Sequence, residues 1–244
     1  MDATRLLYME DMQQTEGEAR VVAVEREDER DTVVLDQTWF HPQGGGQPFD
    51  QGTIEGAKGR FRVDEVRFVD GVVRHIGAFE SGSLSPGDAV TLRVDADRRS
   101  LNARLHSAGH VVDMAVSAQN LGWIPGKGYH FPQGPYVEYD ASIDELDVEA
   151  LKNEIEKAAN GFVEAGIETS LRFMTKSELA AVCRFVPDYV PEDKPSRVVF
   201  YGDFGVPCGG THVSNLRDIG HITIRKIKKA KGSAGTVRVS YDVG

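Results

Sequence analysis

Hydrophobic and polar residues alternate in short runs over the first part of the chain. This period of two is typical of half-buried β-strands. Turn signals such as "VDGV" and "SPGD" separate the runs, and no helical period stands between them. The runs are "EARVVAVE", "DTVVLDQ", "GRFRVDEVRFV", "GVVRHIGAF" and "DAVTLRVD". Short strands without helices between them predict a small β-barrel or sandwich over residues 1–95.

From Asp97 onward the period changes to steps of three and four residues. Leu101 and Leu105 begin an apolar stripe of this kind, which predicts an amphipathic helix with Asp97 as its N-cap. At about 100° per residue, His106 and His110 lie away from that stripe, on a more polar face. We therefore expect this histidine pair outside the main core stripe, on a face that can also be simply solvated.

Capping signals predict two further helices. Ser142 and Glu145 form a capping box that opens one helix, which Gly166 closes. Thr175 and Glu178 open a shorter one, on whose apolar pattern a cysteine of "AAVCRF" is predicted to be a small buried hydrophobe. Strands are predicted at "GPYVEYD" and "RVVFYGDF", and a closing hairpin at "GHITIRKIKKAKGSAGTVRVSYDV".

The predicted fold class is therefore α+β. A small N-terminal β-barrel over residues 1–95 precedes an α+β domain over residues 96–244, in which helices pack on an antiparallel sheet. Net charge of -10 argues against a protein that coats nucleic acid non-specifically. No apolar run has membrane-spanning length, the first residues lack a secretory pattern, and two cysteines make no disulfide framework, so we expect a cytoplasmic protein.

Two short motifs carry candidate metal chemistry. "HSAGH" places His106 and His110 one helical turn apart, so that both imidazoles share a face. "CGGTH" places Cys208 four residues before His212. Each pair alone is a weak signal because such spacings arise often by chance. Together they predict a tetrahedral set of three nitrogens and one sulfur, which is typical of zinc.

The residues around these motifs limit the chemistry. The helix lacks the glutamate of His-Glu-x-x-His, which argues against a zinc peptidase. Gly209, Gly210 and Thr211 follow the cysteine, and the glycines let backbone N–H groups approach a developing oxyanion. The same glycines can equally form a tight turn that brings Cys208 and His212 to one ion.

A family resemblance rests on these motifs. "HSAGH" followed by "CGGTHV" resembles the editing domain of alanyl-tRNA synthetase and its free-standing relatives, the AlaX-type trans-editing proteins. "GGGQPFDQG" resembles the glycine-rich segment of the medium-length members, which carry a small barrel before the editing domain. "DADRRSLNARLHSAGH" and "GDFGVPCGGTHVSNLRDIGHITI" extend the match on both sides. The resemblance covers nearly the whole chain.

The resemblance implies a hydrolase that uses Zn2+ to cleave the ester of a mischarged tRNA in trans. Serine, or secondarily glycine, on the tRNA for alanine is the implied substrate. The expected partner is this mischarged tRNA, with no membrane and no ATP, and the chain is expected to be a monomer or homodimer. Alternatives remain: a non-catalytic zinc-stabilised tRNA-binding module, an esterase for small molecules, or editing of another pair such as serine on the threonine tRNA. The implied zinc ligands are His106, His110, Cys208 and His212.

The resemblance also implies a substrate pocket. The helix motif of the family often reads His-Thr-Ala-Thr-His, whereas Ser107 and Gly109 stand here in place of both threonines. The synthetase domains carry a pocket glutamine whose equivalent falls here at Gly126 or Lys127. The glycine-rich segment lies near the pocket in the family, although by composition it is equally a turn with positive φ. The implied pocket residues are Gly44, Gly45, Gly46, Gln47, Ser107, Gly109 and Lys127.

Two groups of basic residues are candidates for tRNA phosphates. One flanks the histidine-bearing helix, and the other forms a basic run in the closing hairpin, which is otherwise a solvated hairpin tip. The candidates are Arg98, Arg99, Arg104, Lys226, Lys228, Lys229 and Lys231.

Overall fold

The structure is a computed structural model that describes residues 2–27, 29–188, 190–230, 232 and 235–244. Lys231, one of the predicted tRNA contacts, lies outside the described residues. The contacts between residues divide the chain into two compact units. We call Met1–Leu101 the barrel unit and Asn102–Gly244 the C-terminal unit.

The strands of the barrel unit agree with the period-two pattern of its sequence. They are β1 (Arg5–Leu6), β2 (Glu16–Glu27), β3 (Arg30–Leu35), β4 (Gln37–Thr38), β5 (Gly52–Gly56), β6 (Gly59–Val69), β7 (Val72–Gly82) and β8 (Ala89–Val94). Six of them close into a barrel in the order β2-β3-β7-β6-β5-β8, and β1 pairs with β4. Phe61, Val73 and Leu92 fill the interior and are fully buried. The predicted barrel is confirmed; β5 was not predicted.

The C-terminal unit is built from helices and antiparallel strands, which confirms the predicted α+β class. The helices are α1 (Ala96–Ala118, which begins before the unit boundary), α2 (Val148–Ala165) and α3 (Lys176–Val182). The strands are β9 (Ile124–Tyr129), β10 (Tyr136–Asp140), β11 (Thr169–Met174), β12 (Ser196–Tyr201), β13 (Phe204–Pro207), β14 (Ile222–Lys229) and β15 (Thr236–Val243). They form two sheets, β14-β15-β10-β9 and β11-β12-β13.

Helix α1 is buried on both its apolar and its polar side. Ala108 and Val112 enter a core that also holds Ile155 of α2 and Val239 of β15. The opposite, polar side of α1 is buried as well, since Asn102 is only 1% exposed. The alternative of a solvated histidine face is therefore wrong.

None of the described helices has the combination of length and apolar character that a membrane span requires.

The N-cap of helix α1 lies two residues before the predicted one. The Asp95 side chain accepts a hydrogen bond from the backbone N–H of Arg98 at 3.0 Å, and the helix starts at Ala96. Asp95, rather than Asp97, is therefore the N-cap. Two acidic residues spaced this closely offer the same capping chemistry, and only the backbone hydrogen bond distinguishes them.

For helices α2 and α3, some of the predicted caps are confirmed and one is wrong. The start of α2 was wrong, because its N-cap is Asp147, while Ser142 hydrogen-bonds Asp144. Its end is confirmed, since Gly166 adopts the left-handed conformation with φ of 66°. The capping box of Thr175 and Glu178 on α3 is also confirmed. The cysteine of this segment is buried in a small apolar cluster, as predicted.

A buried histidine of strand β7 hydrogen-bonds residues of β3 and β4. Nδ1 of His75 lies 3.0 Å from the carbonyl oxygen of Val33, and Nε2 lies 2.8 Å from the Thr38 hydroxyl. A carbonyl only accepts, so Nδ1 carries the proton and Nε2 accepts from Thr38. Burial lowers the pKa of His75 to about 4. The folded barrel therefore holds this imidazole in its neutral form.

His75 makes stability depend on pH in a defined window. Its pKa falls from 6.5 to about 4 on folding, so below pH 6.5 the unfolded chain binds a proton that the folded chain excludes. The contribution of His75 to the free energy of unfolding should fall by about 3 kcal/mol as pH drops from 6.5 to 4, at 1.4 kcal/mol per pKa unit. NMR titration of the His75 ring and urea unfolding of the chain measure both effects.

The control for this prediction is His75→Gln, which keeps one donor and one acceptor but does not titrate in this range. The free energy of unfolding of the variant should depend less strongly on pH between pH 6.5 and 4. A ring of His75 that titrates near its ordinary pKa in the folded chain would contradict the prediction.

Candidate metal centre

Four side chains of the C-terminal unit converge on one small volume. His106, His110, Cys208 and His212 each offer a ligand atom, and these atoms lie within 4.8 Å of one another. Sγ of Cys208 is 3.4 Å from Nε2 of His106 and 3.3 Å from Nε2 of His212. Tetrahedral zinc with bonds of about 2.0–2.3 Å separates its ligands by roughly 3.3–3.8 Å. The spacing of the donors therefore suits a zinc ion.

Helix α1 presents one half of the centre. The side chains of His106 and His110 lie one above the other because they are one turn apart on the same helix face. Their ring centroids are 5.0 Å apart and the ring planes differ by 26°. The helix thus fixes the relative position of two of the four candidate ligands.

The loop after β13 presents the other half. The backbone N–H of Cys208 donates to the carbonyl of Arg197 at 3.1 Å, which ties the cysteine to strand β12. Nη1 of the buried Arg197 donates in turn to the carbonyls of Cys208 and Gly210, at 3.0 and 2.6 Å. A guanidinium binds two acceptors in a rigid fork, so the loop between the two ligands is held in one conformation.

A second group of contacts orients His212. Its Nδ1 lies 2.9 Å from the Tyr201 hydroxyl and 3.3 Å from the Ser107 hydroxyl. Tyr201 bonds Ser107, whose oxygen also accepts from the backbone N–H of Val213 at 3.1 Å. With Nδ1 donating to this network, Nε2 keeps its lone pair and faces Cys208. Such outer contacts commonly fix the tautomer of a metal-binding histidine.

The electrostatics of the centre fit a cation. Nε2 of His110 is buried and has no hydrogen-bond partner among the described residues, an arrangement that is costly unless something else accepts the lone pair. Burial lowers the pKa of His110 to about 4, so the ring is neutral. Burial raises the pKa of the Cys208 thiol, while the Gly210 N–H and Arg197 lower it. A divalent ion would satisfy the lone pairs and stabilise the thiolate.

A fifth histidine, which the sequence motifs did not indicate, borders the centre. The ring of His130 stacks on His106 with centroids 4.4 Å apart and planes within 21°. Its Nδ1 is 2.6 Å from the Tyr241 hydroxyl, which donates to the carbonyl of Leu105 at 2.8 Å. Nδ1 must therefore donate to Tyr241, and Nε2 carries the lone pair. Burial, together with the nearby His110, lowers the pKa of His130 to about 3.

Two glycines make room for this ring. A Cβ on Gly109 would lie 2.3 Å from Cε1 of His130, and a Cβ on Gly128 would lie 2.3 Å from its Nε2. The space that a side chain at position 109 would need is thus occupied by an imidazole. A glycine inside an otherwise regular helix, and a second one two residues before a histidine, were the sequence signals for this contact.

The two glycines after Cys208 have different environments. The backbone N–H of Gly210 donates to Sγ of Cys208 at 3.4 Å, so the expectation that this N–H faces an oxyanion is corrected. Gly209 is exposed and Thr211 is fully buried. Ser107, implied to line the pocket, is also fully buried. Its hydroxyl contacts His212 and thereby supports a ligand.

The glycine-rich segment of the barrel unit forms a tight turn. The backbone N–H of Gly44 donates to Gln47 at 3.3 Å, and that of Gln47 donates back at 2.9 Å. Gly45 and Gly46 have φ of 56° and 78°, which explains the choice of glycine at both positions. Gln47 is fully buried. Lys127 of β9 belongs to the other unit and is exposed.

One predicted tRNA contact is corrected by burial. Arg99 is 4% exposed, and its guanidinium binds the carboxylate of Asp50 and the carbonyls of Met12 and Trp39. A guanidinium that is buried in an ion pair of this kind is not accessible to a phosphate. Sequence proximity to the helix start did not reveal that the side chain turns into the barrel unit.

The remaining basic candidates differ in what they contact. Arg98 is half-buried and donates to the carbonyl of Phe49, while Arg104 donates to the carbonyl of Ile219. Lys229 forms an ion pair with Asp144. Lys226 is exposed and Lys228 is half-buried, and neither forms an ion pair within the part of the chain that the structure describes.

The contact between Gly109 and His130 predicts an unusual effect of alanine. Gly109→Ala should destabilise the chain by about 1–3 kcal/mol, because overpacking forces a buried ring to shift. Gly161→Ala is the matched control, since Gly161 lies in α2 and a Cβ there meets nothing within 4 Å. The control should gain about 0.5–1 kcal/mol, as replacement of a helical glycine usually does. Urea unfolding measures both variants.

Adding His130→Ala to Gly109→Ala should relieve the clash, so the double variant separates overpacking from a general weakness of the helix. Stabilisation by Gly109→Ala comparable to that of the Gly161 control would show that the ring is not confined as described.

Comparisons with known proteins identify the two parts of the chain. The family model described as tRNA synthetases class II (A) matches residues 7–98. The model described as threonyl and alanyl tRNA synthetase second additional domain matches residues 196–240. The second match contains Cys208 and His212.

Two relatives that match most of this chain agree with both family models. The chain is 34% identical over 251 residues to the alanine–tRNA ligase of Methanobrevibacter smithii, covering 99% of this chain and 27% of that protein. It is 34% identical over 219 residues to the alanine–tRNA ligase of Methanothrix thermoacetophila, covering 87% of this chain and 23% of that protein. The chain thus spans a minor part of these ligases.

A third relative has the same extent as the chain. The alanyl-tRNA editing protein AlaX-M of Pyrococcus horikoshii is 30% identical over 246 residues, which cover 98% of this chain and 97% of that protein. The match at this level extends over nearly the whole chain and therefore through both units. The chain belongs to the AlaX-type family of alanyl-tRNA editing proteins.

Proposed function

We propose that the chain is a zinc-dependent aminoacyl-tRNA deacylase that acts in trans in the cytoplasm. Its substrate is a mischarged tRNA, with serine or glycine attached to the tRNA for alanine. The observation that carries the proposal is the cluster of three histidines and one cysteine, whose ligand atoms lie within 4.8 Å. A relative named as an alanyl-tRNA editing protein and of the same length supports the choice of substrate class.

The reaction is hydrolysis of an ester. The oxygen of water bonds to the acyl carbon, the bond from that carbon to the ribose oxygen breaks, and the ribose oxygen takes up a proton. The free amino acid and the uncharged tRNA result. The chemistry that a bound zinc ion supplies is polarisation of the ester carbonyl and a lowered pKa for water at the site.

The residues of the chain have distinct tasks in this reaction. His106, His110, Cys208 and His212 would hold the ion. Arg197 fixes the loop between the two last ligands, and the exposed backbone of Gly209 can approach the ester carbonyl from that loop. Rigid support keeps the reacting groups within the small tolerances that hydrolysis requires.

His130 gives the site a candidate means of choosing an amino acid. Its neutral ring occupies the space beside Gly109 where the family often carries a threonine hydroxyl. With Nδ1 donating to Tyr241, Nε2 is left as an acceptor. A buried acceptor distinguishes a side-chain hydroxyl from a hydrogen atom far better than an apolar wall does. We therefore expect serine to be removed in preference to alanine.

The ligand count favours one competing function. Four protein ligands close a tetrahedral site, and closed sites are typical of structural zinc. A non-catalytic tRNA-binding module, in which the ion only stabilises the fold, has this same ligand set. The two functions differ in whether loss of the ion removes an activity or only stability.

Two single cysteine variants, one of them a control, test the proposed function. Cys208→Ala should lose bound zinc and lower deacylation by at least about 100-fold, because the Lewis acid contributes several kcal/mol to the barrier. Cys183→Ala is the control, since Cys183 is buried in a separate apolar cluster and touches no ligand. It should retain zinc and activity. Metal analysis and release of labelled amino acid from charged tRNA are the measurements.

Deacylation that persists after zinc is lost from Cys208→Ala would contradict the proposal. Wild-type protein that binds zinc but hydrolyses none of serine, glycine, alanine or threonine on the alanine and threonine tRNAs would favour the structural role. Turnover of free aminoacyl esters at the same rate as charged tRNA would instead favour a small-molecule esterase.

A further inference from the structure

The four-stranded sheet of the C-terminal unit has one face turned away from the helices. Along β10, Val137 and Tyr139 enter the core that α1 and α2 share. Successive side chains of a strand alternate between faces, so Tyr136 points to the opposite, outer face. Tyr136 pairs with Tyr129 of β9 in the antiparallel register, which places both tyrosines side by side on that face.

Three rings form a parallel stack on this outer face. The ring of Tyr129 lies 4.5 Å from Phe131 and 5.3 Å from Tyr136, with interplanar angles of 14° and 16°. The guanidinium of Arg238 continues the series at 4.4 Å from the Tyr136 ring. All three rings are half-buried and retain accessible surface. We call Phe131, Tyr129, Tyr136 and Arg238 the aromatic ladder.

Aromatic rings with an accessible face are common partners of unpaired nucleobases. A base stacks on an aromatic ring or a guanidinium plane through its π-face, which every base possesses. Most aromatic pairs in proteins prefer offset or edge-to-face packing. The small angles of the ladder therefore leave flat end faces, at Phe131 and beside Arg238, on which a further planar group can stack.

The charge around the ladder is complementary to phosphate. In the sheet register Ser240 stands beside Tyr136, with Lys226 beyond it, and Lys228 stands beside Arg238. Lys226 and Lys228 make no ion pair within the described ranges, whereas Arg238 is paired with Glu138. The chain as a whole has a net charge of -10. Among the described residues of this face, the basic groups outnumber the acidic ones. The basic groups are Lys127, Arg225, Lys226, Lys228 and Arg238, and the acidic ones are Glu138, Asp140 and Asp242.

The ladder adjoins the metal centre through a single residue. Tyr129 and Phe131 flank His130, whose ring stacks on His106. The chain therefore passes from the outer face of the sheet to the centre and back within three consecutive residues. A strand of nucleic acid that stacks on the outer rings needs only to round this edge for its terminus to reach the ligands.

We propose that the aromatic ladder and the lysines beside it bind the single-stranded acceptor end of the tRNA. Nucleotides before the esterified one stack on the ladder, and their phosphates lie near Lys226 and Lys228. This inference rests on the proposed function, because it takes charged tRNA as the substrate. The flat rings favour unpaired bases over a duplex, whose bases are already stacked on one another.

Binding of a short RNA tests the ladder without requiring any hydrolysis. The probe is a single-stranded pentanucleotide that ends in CCA and carries 2-aminopurine before it, whose fluorescence is quenched when it stacks. Wild-type protein should bind and quench it. Phe131→Leu and Arg238→Leu each remove one end face of the ladder, and each should weaken binding roughly 5- to 100-fold and reduce the quenching, as removal of one stacking partner does.

Phe173→Leu is the matched control. Phe173 is an exposed aromatic residue on β11 of the same unit, outside the ladder, and its variant should bind the probe like wild type. Thermal unfolding and zinc content of all variants should match wild type, which separates the loss of stacking from damage to the fold. With charged tRNA, the ladder variants should raise KM while largely preserving kcat.

The lysines are tested by salt. Lys226→Gln together with Lys228→Gln should flatten the dependence of log affinity on log salt by about 0.7 for each phosphate contact removed. Lys152→Gln together with Lys157→Gln on α2 is the charge-matched control and should leave the slope unchanged.

The inference and the proposed function fail separately. Undiminished probe affinity and quenching in both ladder variants would overturn the inference even if wild-type protein deacylates tRNA. Quenching that the ladder variants abolish would uphold it even if no charged tRNA is hydrolysed. A change of oligomeric state in the ladder variants, with unchanged probe binding, would assign this face to a second copy of the chain and would also overturn the inference.

Discussion

Converging lone pairs are the constraint around which the C-terminal unit is arranged. Helix α1 buries two imidazoles one turn apart, and the loop after β13 adds a thiol and a third imidazole within 4.8 Å. Neutral nitrogens that face one another cannot satisfy each other, and Nε2 of His110 is left without a protein partner among the described residues. A bound cation would satisfy the lone pairs of such a cluster. Arg197 and Tyr201 then hold the ligands in the geometry that it needs.

The alternation of β9 and its following turn connects this centre to the sheet surface. His130 lies inward against His106, while Tyr129 and Phe131 stack together at an angle of 14°. Gly109 and Gly128 leave the space that the inward ring fills. One short segment thus borders the candidate metal centre on one side and presents two stacked aromatic rings on the other. Few residues are needed because neighbouring positions of an extended chain face opposite ways.

Local patterns were reliable where local physics decides the structure. The segment "GRFRVDEVRFV" is strand β6 residue for residue, and Gly166 ends α2 because glycine alone adopts positive φ without strain. Patterns failed where several neighbours offer the same chemistry. Asp95 and Asp97 are equivalent caps in sequence, and the burial of Arg99 depends on Asp50, which is remote along the chain.

The sequence by itself indicated the candidate metal ligands, the family and the order of a β-barrel before an α+β unit, because motif spacing and hydrophobic period are properties of short stretches. The tertiary structure decided which polar groups are buried and what they face. His130 stands alone in the sequence and yet stacks on a ligand, and Gly210 turns its N–H to Cys208 rather than outward. Contacts of this kind join residues that are distant in sequence, or depend on loop conformation. Their energies are set by packing and desolvation, which no local period records.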